Sequence, residues 1–555
     1  MVKKEIPEFI LQLLAQRGVE DDVDIEKFLF PKLAALPKPD SMLNLREAAQ
    51  VVRYFVENEL QIIVWGDYDV DGTTATALLV NFFRDLGVDI KWHIPNRLTD
   101  GYGLNIRWFE ENISSFSSKR FLLITVDNGI SSYEVVRLIQ NLGGVVVVTD
   151  HHALPEGEIP DCIVVNPEQE KCGFHREKMA GVGLAFYLAA AIRTEFPQRN
   201  DINMKSFLPF VAIGTVADMV ELTPTNRILV RAGFEELHKP RFIGLTALLE
   251  EAEIFSGEVT SEDIGFSIGP KINAAGRLGN SQLVVEILTS DNPKSARKKS
   301  AELQELNQRR KAICVDDFSL AESMVSAYEV AEQKICVVAG KFHPGVAGIV
   351  ASKLMELFGV PTIVLAETTN AAGGVTLRGS GRSVEGINLH EMLQQCSDVI
   401  IKFGGHAMAA GLSLEPQNLE KFTRALGRAI REEGARDGQK PVRKKSYDVA
   451  CSLDDAMNPA SIQYLMLMEP FGQGNPAPKF YDENSIVIQS RNVGVDHRHL
   501  SLMFRGRYSQ YKGIGFGLGE RLNDVQEKSQ RSLVYSLTRN RYRGTESWQI
   551  RVHSI

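Results

Sequence analysis

Asp67, Asp69 and Asp71 occupy alternate positions in "GDYDVDGTT". If that turn is extended, the spacing places all three carboxylates on one side. Asp127 follows in "VDNG", and the run "VVVVTDHH" ends in Asp150, His151 and His152. Carboxylates gathered in one place repel unless a cation lies among them. Several carboxylates with an imidazole suit Mn2+ or Mg2+, and two ions can share a bridging aspartate. Such a pair lowers the pKa of a bound water and clamps both oxygens of an in-line phosphoryl displacement. A calcium loop of the EF-hand type is excluded, because its twelfth position, counted from Asp67, is Leu78 rather than glutamate.

These residues need a frame that brings them together. "LQIIVWGDYDVDGTTATALLVNFFRDLG" reads as a strand, a polar turn and a helix from about Thr73 to Leu86. "FLLITVDNGISSYEVVRLIQNLG" repeats the grammar, with Asp127 at the turn and Ser131 as the expected helix N-cap. "GGVVVVTDHH" and "DCIVVNP" supply a third and a fourth strand. Continuous apolar strands alternating with amphipathic helices predict a parallel sheet covered on both faces. Ligands sit beyond the carboxyl ends of such strands, which is where the acids and histidines fall. Any one of these acids could be a turn cap or a solvated side chain; the set at three successive strand ends points to a metal centre.

The rest of the chain reads as further units. Helical patterning runs from Ala180 to about Leu249, and a long charge-rich helix begins at Asn292. A second α/β pattern opens at "KICVVAGKFHPGVAGIV", and the linker "REEGARDGQKPVRKKS" leads into short alternating strands with glycine turns. Those strands predict a small β-barrel of the OB type. The expected division is 1–58 as a segment packed on the catalytic lobe, 59–290 catalytic, 291–333 helical connector, 334–432 a second α/β domain and 447–555 the barrel.

Composition narrows the function. The chain has 555 residues and a net charge of −8, unevenly distributed. From Ile486 onward twelve Lys/Arg face five Asp/Glu, a local +7, which leaves 50 against 65, or −15, elsewhere. A basic C-terminal module on an acidic body suggests one surface specialised for a polyanion. The six scattered cysteines form no CxxC pair, as expected of reduced cytoplasmic thiols. Cys162, Cys172 and His175 lie close in sequence without ligand-pair spacing and read as incidental. The N-terminus carries no signal-peptide pattern and no apolar run is long enough to span a bilayer, so a cytoplasmic protein without membrane contact is expected. No GxxxxGK[ST] is present, which argues against ATP hydrolysis.

"DYDVDG", "VDNG" and "DHH" resemble the first three motifs of the DHH phosphoesterase superfamily, and "IGTVADMVEL" resembles the fourth. The whole chain is similar to the RecJ family of single-strand-specific DNA exonucleases. Supporting stretches are "IPNRLTDGYGL", "GPKINAAGRLG", "HPGVAGIVASKL", "GSGRS", "FGGHAMAAGL" and "PFGQGNPAPKF".

The resemblance implies a DHH catalytic domain, a DHHA1 domain and an OB-fold. It implies that Asp69, Asp71, Asp127, His151 and Asp218 hold the metals with Asp127 bridging, and that Asp67 is a ligand or supports one. It places His152 at the scissile phosphate, stabilising charge or assisting the leaving oxygen, so that His152, Asp127 and Asp71 form the catalytic set. Pyrophosphatases of the superfamily carry a further histidine where this chain has Trp65. Ser380 and Arg382 in the second lobe, and Arg97 and Arg277 in the first, are expected to line the substrate path. Gly405 and His406 are expected where a turn enters a helix, an anion site.

The implied activity is 5′-to-3′ hydrolysis of single-stranded DNA to 5′-mononucleotides in recombination and repair, by a monomer with two Mn2+ or Mg2+ ions. The implied partners are single-strand-binding protein and a helicase. The alternatives are a phosphodiesterase for short oligoribonucleotides or small phosphorylated nucleotides, and a non-catalytic replication scaffold. Barrel aromatics Phe504, Tyr508, Tyr511, Phe516, Tyr542 and Trp548 are candidates for stacking bases, although about half are expected to be core.

Overall fold

A computed structural model describes residues 6–116, 120–174, 177–238, 240–254, 259–369, 373–436, 447–494, 496–525, 530–542 and 545–555. His175 and most of the expected linker lie outside these residues.

The first lobe is built on a five-stranded parallel sheet. Its strands are β1 (Gln61–Trp65), β2 (Lys91–His93), β3 (Phe121–Val126), β4 (Gly144–Thr149) and β5 (Ile163–Val165), in the order β2-β1-β3-β4-β5. Successive side chains alternate between two cores. Ile62, Val64, Leu122, Ile124 and Val147 pack with the helices Val70–Leu86 and Gly181–Glu195. Ile63, Trp65, Leu123, Val146 and Val148 pack on the opposite face with Phe109 and Ile139. Both faces are therefore buried, as the uninterrupted apolar strands predict.

Two local expectations are corrected. The helix after β1 begins at Val70 rather than Thr73, because Asp69 caps it by accepting a hydrogen bond from the Gly72 amide. The aspartate triplet is therefore not extended: Asp67 precedes the cap, Asp69 is the cap and Asp71 lies in the first turn. After β3 the N-cap is Ser132, not Ser131, and its side chain makes no capping bond.

The helix Pro293–Met324, capped by Asn292, bridges the lobes. Its first half packs on the helices Ile243–Glu251 and Gly269–Arg277, and it also meets Ala347–Phe358 of the second lobe. The second lobe is a mixed sheet in the order β6-β7-β8-β10-β9, with strands Cys336–Gly340, Thr362–Thr369, Val375–Arg382, Lys402–Gly405 and Ala409–Leu414 taken in chain order. The last two form an antiparallel hairpin with Ala410 opposite Gly405. The helix expected after "FGGH" is thus a strand: its small residues alternate between buried and less buried positions, and sheet pairing outweighs alanine's helix preference.

At the C-terminus, β12 (Phe480–Val493), β13 (His499–Arg505), β14 (Gln510–Gly515), β16 (Thr545–Ser554) and β15 (Gln530–Tyr542) follow one another, and β15 pairs back on β12 to close the barrel. The short β11 (Val449–Ala450) adds to β12.

Of the expected segment 1–58, the described residues 6–58 do not stay together on the catalytic lobe. Leu45–Glu57 packs there, but Glu8–Gln16 and Asp22–Leu29 share the barrel's core through Phe9, Ile10, Leu13, Ile25 and Leu29. Phe9 meets Phe480 edge to face, with centroids 5.9 Å apart. An amphipathic stripe declares that a helix is buried, not which surface buries it.

Arginines stitch the barrel side to the catalytic body. The buried Arg227 donates from Nε to Phe28 O (3.0 Å), from Nη1 to Met468 O (2.8 Å) and from Nη2 to Leu467 O (2.9 Å). Arg231 donates to Met466 O and Glu469 O, both at 3.1 Å. Together they satisfy the open carbonyls at the end of the helix Pro459–Met468. Arg227→Met keeps the bulk but removes the arginine donors to Phe28 O and Leu467 O, while Met468 O keeps only the Asn475 amide at 2.9 Å. At about 1–3 kcal/mol for each unsatisfied group, it is expected to lower unfolding stability by roughly 2–4 kcal/mol, read as a lower urea midpoint.

Candidate metal and phosphate site

The carboxyl ends of β1, β3 and β4 converge, and helix termini complete the site. Asp71, in the first turn of Val70–Leu86, accepts from the amides of Gly181 (2.6 Å) and Val182 (2.8 Å). Those are open donors at the start of the helix Gly181–Glu195, so one carboxylate caps that helix while facing the cluster. Asp127 follows β3 with φ 64, held by its amide's bond to Thr149 O at 3.1 Å. Asp218 stands at the C-cap of the helix Leu208–Ala217.

His151 gathers the acids. Its Nε2 lies 3.0 Å from Asp127 Oδ1, 3.7 Å from Asp218 Oδ2 and 3.8 Å from Asp71 Oδ2. Two groups have ligand atoms within 4.8 Å of one another and can each hold a metal ion: Asp71, His151 and Asp218, and Asp67, Asp69 and Asp127. A third, Asp127 with His151 and His152, joins them. The donor set fits a hard divalent cation. Asp67 Oδ1 and Asp127 Oδ1 are buried and accept no hydrogen bond, an arrangement that a cation between them satisfies.

The protonation pattern agrees. Burial first, and then the neighbouring carboxylates, push Asp67 and Asp127 well above the ordinary carboxylate range, Asp71 up to about 7 and Asp218 up to about 8. Burial pulls His151 down to about 4, which keeps the neutral imidazole that a metal requires. His152 goes the other way. Burial alone would lower it, but the Asp150 carboxylate, 2.7 Å from Nδ1, raises it to about 9. Asp150 is fully buried and also accepts from the amides of Ile130 (2.9 Å) and His152 (3.1 Å). Burial would raise this carboxyl; the His152 imidazole first, and then those amides, hold it below its ordinary value.

Beside the acids lies a group of arginines. Arg97 sits over the Tyr68 ring at 5.0 Å. Arg277 donates from Nη1 to Gly345 O at 3.0 Å, and Arg382 from Nη1 to Ser380 Oγ at 2.9 Å. Burial, followed by the fields of Arg97, Arg382 and Arg310, pulls Arg277 down to about 10. Guanidiniums from the catalytic lobe, the connector and the second lobe thus share one neighbourhood.

Family models match the chain along its length: the DHH family N-terminal domain at 61–215, the DHHA1 domain at 332–432 and the RecJ OB domain at 447–554. The single-stranded-DNA-specific exonuclease RecJ of Salmonella typhimurium is 35% identical over 584 residues, covering 99% of this chain and 96% of that protein. This chain belongs to the RecJ family. The Bacillus subtilis RecJ is 32% identical, with 99% of this chain and 68% of that protein covered. RecJ from Thermus thermophilus, solved in complex with Mn2+, superposes with a TM-score of 0.77 at 27% identity over 99% of this chain and 78% of that one.

Within this RecJ-family chain the structure brings Asp67, Asp69, Asp71, Asp127, His151, His152 and Asp218 together. It also groups Arg97, Arg277, Ser380 and Arg382. The turn into a helix expected at Gly405 and His406 is instead a turn between two strands. These residues lie at an exposed hairpin turn, with the His406 amide bonded to Ala409 O at 2.8 Å, and no helix begins there. Trp65 is fully buried in the core with Phe109, on which it stacks at 5.2 Å, so a ligand histidine has no counterpart at that position.

Three participants escape the sequence reading. Arg310 reads there as one more charge on the connector. Tyr102, whose hydroxyl lies 3.3 Å from His152 Nδ1 and 3.4 Å from Asp127 O, is hidden in a glycine turn. Asp150 reads as a metal candidate, whereas its carboxylate is bonded to His152 and to the Ile130 amide. Among the barrel aromatics, Phe504 is core and Tyr511 donates to Asp454 at 2.8 Å, while Tyr508 and Phe516 are exposed. Arg551 lies over Phe516 and Arg539 over Trp548. The Tyr542 side chain lies outside the described residues.

Gly181 is a sharp test of the cluster. A Cβ there would stand 2.6 Å from Asp127 Cβ, so Gly181→Ala must push Asp127 away from its partners. The expected result is a loss of about 100-fold or more in hydrolysis, since a misplacement of about 1 Å costs that much. Thermal stabilisation by Mn2+ should be lost in parallel.

Proposed function

We propose that this protein is a metal-dependent exonuclease that hydrolyses single-stranded DNA from the 5′ end to 5′-mononucleotides. The observation that carries the reading is one buried carboxylate, Asp127, which belongs to the group with Asp67 and Asp69, lies 3.0 Å from His151 of the other group, and stands beside a cluster of arginines drawn from three parts of the chain. In this reading Asp71, His151 and Asp218 hold one Mn2+ or Mg2+, Asp67 and Asp69 hold a second, and Asp127 serves both. Ions bound there supply an activated water and neutralise charge on the phosphate. Arg97, Arg277 and Arg382 grip phosphates, with Ser380 fixing the Arg382 fork. His152 has Nδ1 held by Asp150, which leaves Nε2 to meet a phosphate oxygen as a cation.

The basic barrel suits a flexible strand better than a mononucleotide, with Phe516 and Trp548, each beside an arginine, as its stacking positions. The same reading assigns the enzyme to recombination and repair, on strands that a helicase has unwound and that single-strand-binding protein covers.

A 3′-labelled single strand incubated with Mn2+ tests this, with Asp127→Ala as the control. A ladder of shortening labelled strands, absent in the variant, is expected. Immediate release of labelled mononucleotide would reverse the polarity, and an intact strand would favour a small-substrate phosphodiesterase or a scaffold.

A further inference from the structure

We infer that Met219 and Phe266 form a shelf on which bases of the bound strand stack as it leaves the metal cluster. The inference deepens the exonuclease reading and rests on it. A cavity of about 720 Å³ opens between the catalytic body, the second lobe and the barrel, and both residues line it. Each reaches it through an unusual backbone. Met219 directly follows Asp218, has φ 59 and is 72% exposed. A left-handed backbone at a non-glycine residue is unfavourable and collects at functional sites. Phe266 lies in the π-helical turn Ile264–Ile268 and is 76% exposed. Such turns are rare and likewise mark functional sites.

Neither side chain joins a core, yet both enter the same space. The two segments are neighbours, since a Cβ on Gly269, just past the π turn, would stand 3.5 Å from Ala217 Cβ. The helix that leaves the turn ends at Arg277, and Arg310 lines the same cavity. Apolar surface bordered by guanidiniums fits a chain with flat apolar bases on one side and phosphates on the other. A small anion would leave Met219 and Phe266 without a role, and an apolar ligand would leave the arginines without one. Stacking is sequence-tolerant because every base offers a π face, as a general exonuclease needs.

The test compares wild type, Phe266→Ala, Met219→Ala and Phe266→Trp on two 5′-phosphorylated strands in Mn2+. One is an ordinary oligonucleotide that fills a groove of roughly 4–16 nucleotides. The other is the same strand with abasic residues inward of its first few nucleotides. On the ordinary strand Phe266→Ala should raise KM about tenfold, the scale of one lost base stack, with kcat within about twofold and Phe266→Trp restoring the wild-type KM. On the abasic strand wild type and Phe266→Ala should share one KM, because the partner of the ring is already gone. Equal losses on both strands would show a structural role and overturn the shelf, as would no loss on the ordinary strand. Wild-type protein that cuts neither strand would overturn the exonuclease reading itself.

Discussion

Asp127→Ala is expected to lower kcat by about four orders of magnitude, roughly 5 kcal/mol of barrier at 1.36 kcal/mol for each factor of ten. Its carboxylate belongs to the group with Asp67 and Asp69 and lies 3.0 Å from His151 of the other group, so its removal is expected to disturb both ions at once. The same substitution should act in the opposite direction on the metal-free protein. Asp67, Asp71, Asp127 and Asp218 all have carboxyls raised by burial and by one another. A carboxyl raised on folding binds more protons folded than unfolded, so stability falls as pH rises from the ordinary carboxylate value through the folded one.

For Asp71 and Asp218 that window runs from about 4 to about 7 and about 8. Metal-free wild type should therefore lose thermal stability between pH 5 and pH 8, and metal-free Asp127→Ala should lose less. Mn2+ should reverse the ranking at pH 8. Wild type gains about 2.7 kcal/mol at a concentration 100 times Kd, and the variant gains little. Calorimetry at two pH values, with and without Mn2+, reads all four states. A variant stabilised by Mn2+ as much as wild type would remove Asp127 from the metal site.

The second large effect concerns a residue placed to touch neither metal nor substrate. Asp150→Asn should reduce kcat by about 100-fold and move the alkaline limb of the rate profile downward by about two pH units. Protonated His152 is the active form in this mechanism. Burial opposes its charge, and the Asp150 hydrogen bond and field outweigh that, holding the group near 9 against an ordinary 6.5. Bound cations cancel the smaller fields of Asp218 and Asp69, and the Asp150 bond at 2.7 Å remains. In wild type activity should persist to about pH 9, because a raised histidine loses its proton only as pH passes its folded value. The asparagine removes the charge while preserving an acceptor, so burial then dominates. His152→Ala should abolish the alkaline limb and lower kcat about 1,000-fold. A rate loss in Asp150→Asn without any shift of the limb would mean that Asp150 only shapes the loop.

The legibility of this site follows from how far its parts lie from one another along the chain. Asp67 to Asp71, Asp127 and Asp150 to His152 each end a strand whose apolar run is plain in the sequence, and parallel-sheet topology then places them side by side. Asp218 needs the family resemblance, because it ends a helix and nothing local distinguishes it from an ordinary cap. Arg310 belongs to the connector helix, and only the packing of that helix between the lobes brings it toward Arg277. Asp150 shows the limit of composition: three donor residues in a row look alike, and only the buried hydrogen bonds separate the one that orients from those that can ligate. The "FGGHAMAAGL" hairpin reads as a helix start because glycine and alanine carry too little side chain to declare a period.

The union of the first two helices with the last domain bears on how the chain is made. Gln16 donates to the carbonyl of Asp448, 432 residues later. At roughly 5–20 residues per second, a ribosome needs roughly 20–90 s to cover that distance. Throughout that interval Phe9, Ile10, Leu13 and Leu14 are outside the exit tunnel with no barrel to receive them, while the catalytic sheet between can already fold. The earliest segment to emerge is thus among the last to be buried, and holding it soluble until the final strands arrive falls to whatever chaperones attend the nascent chain.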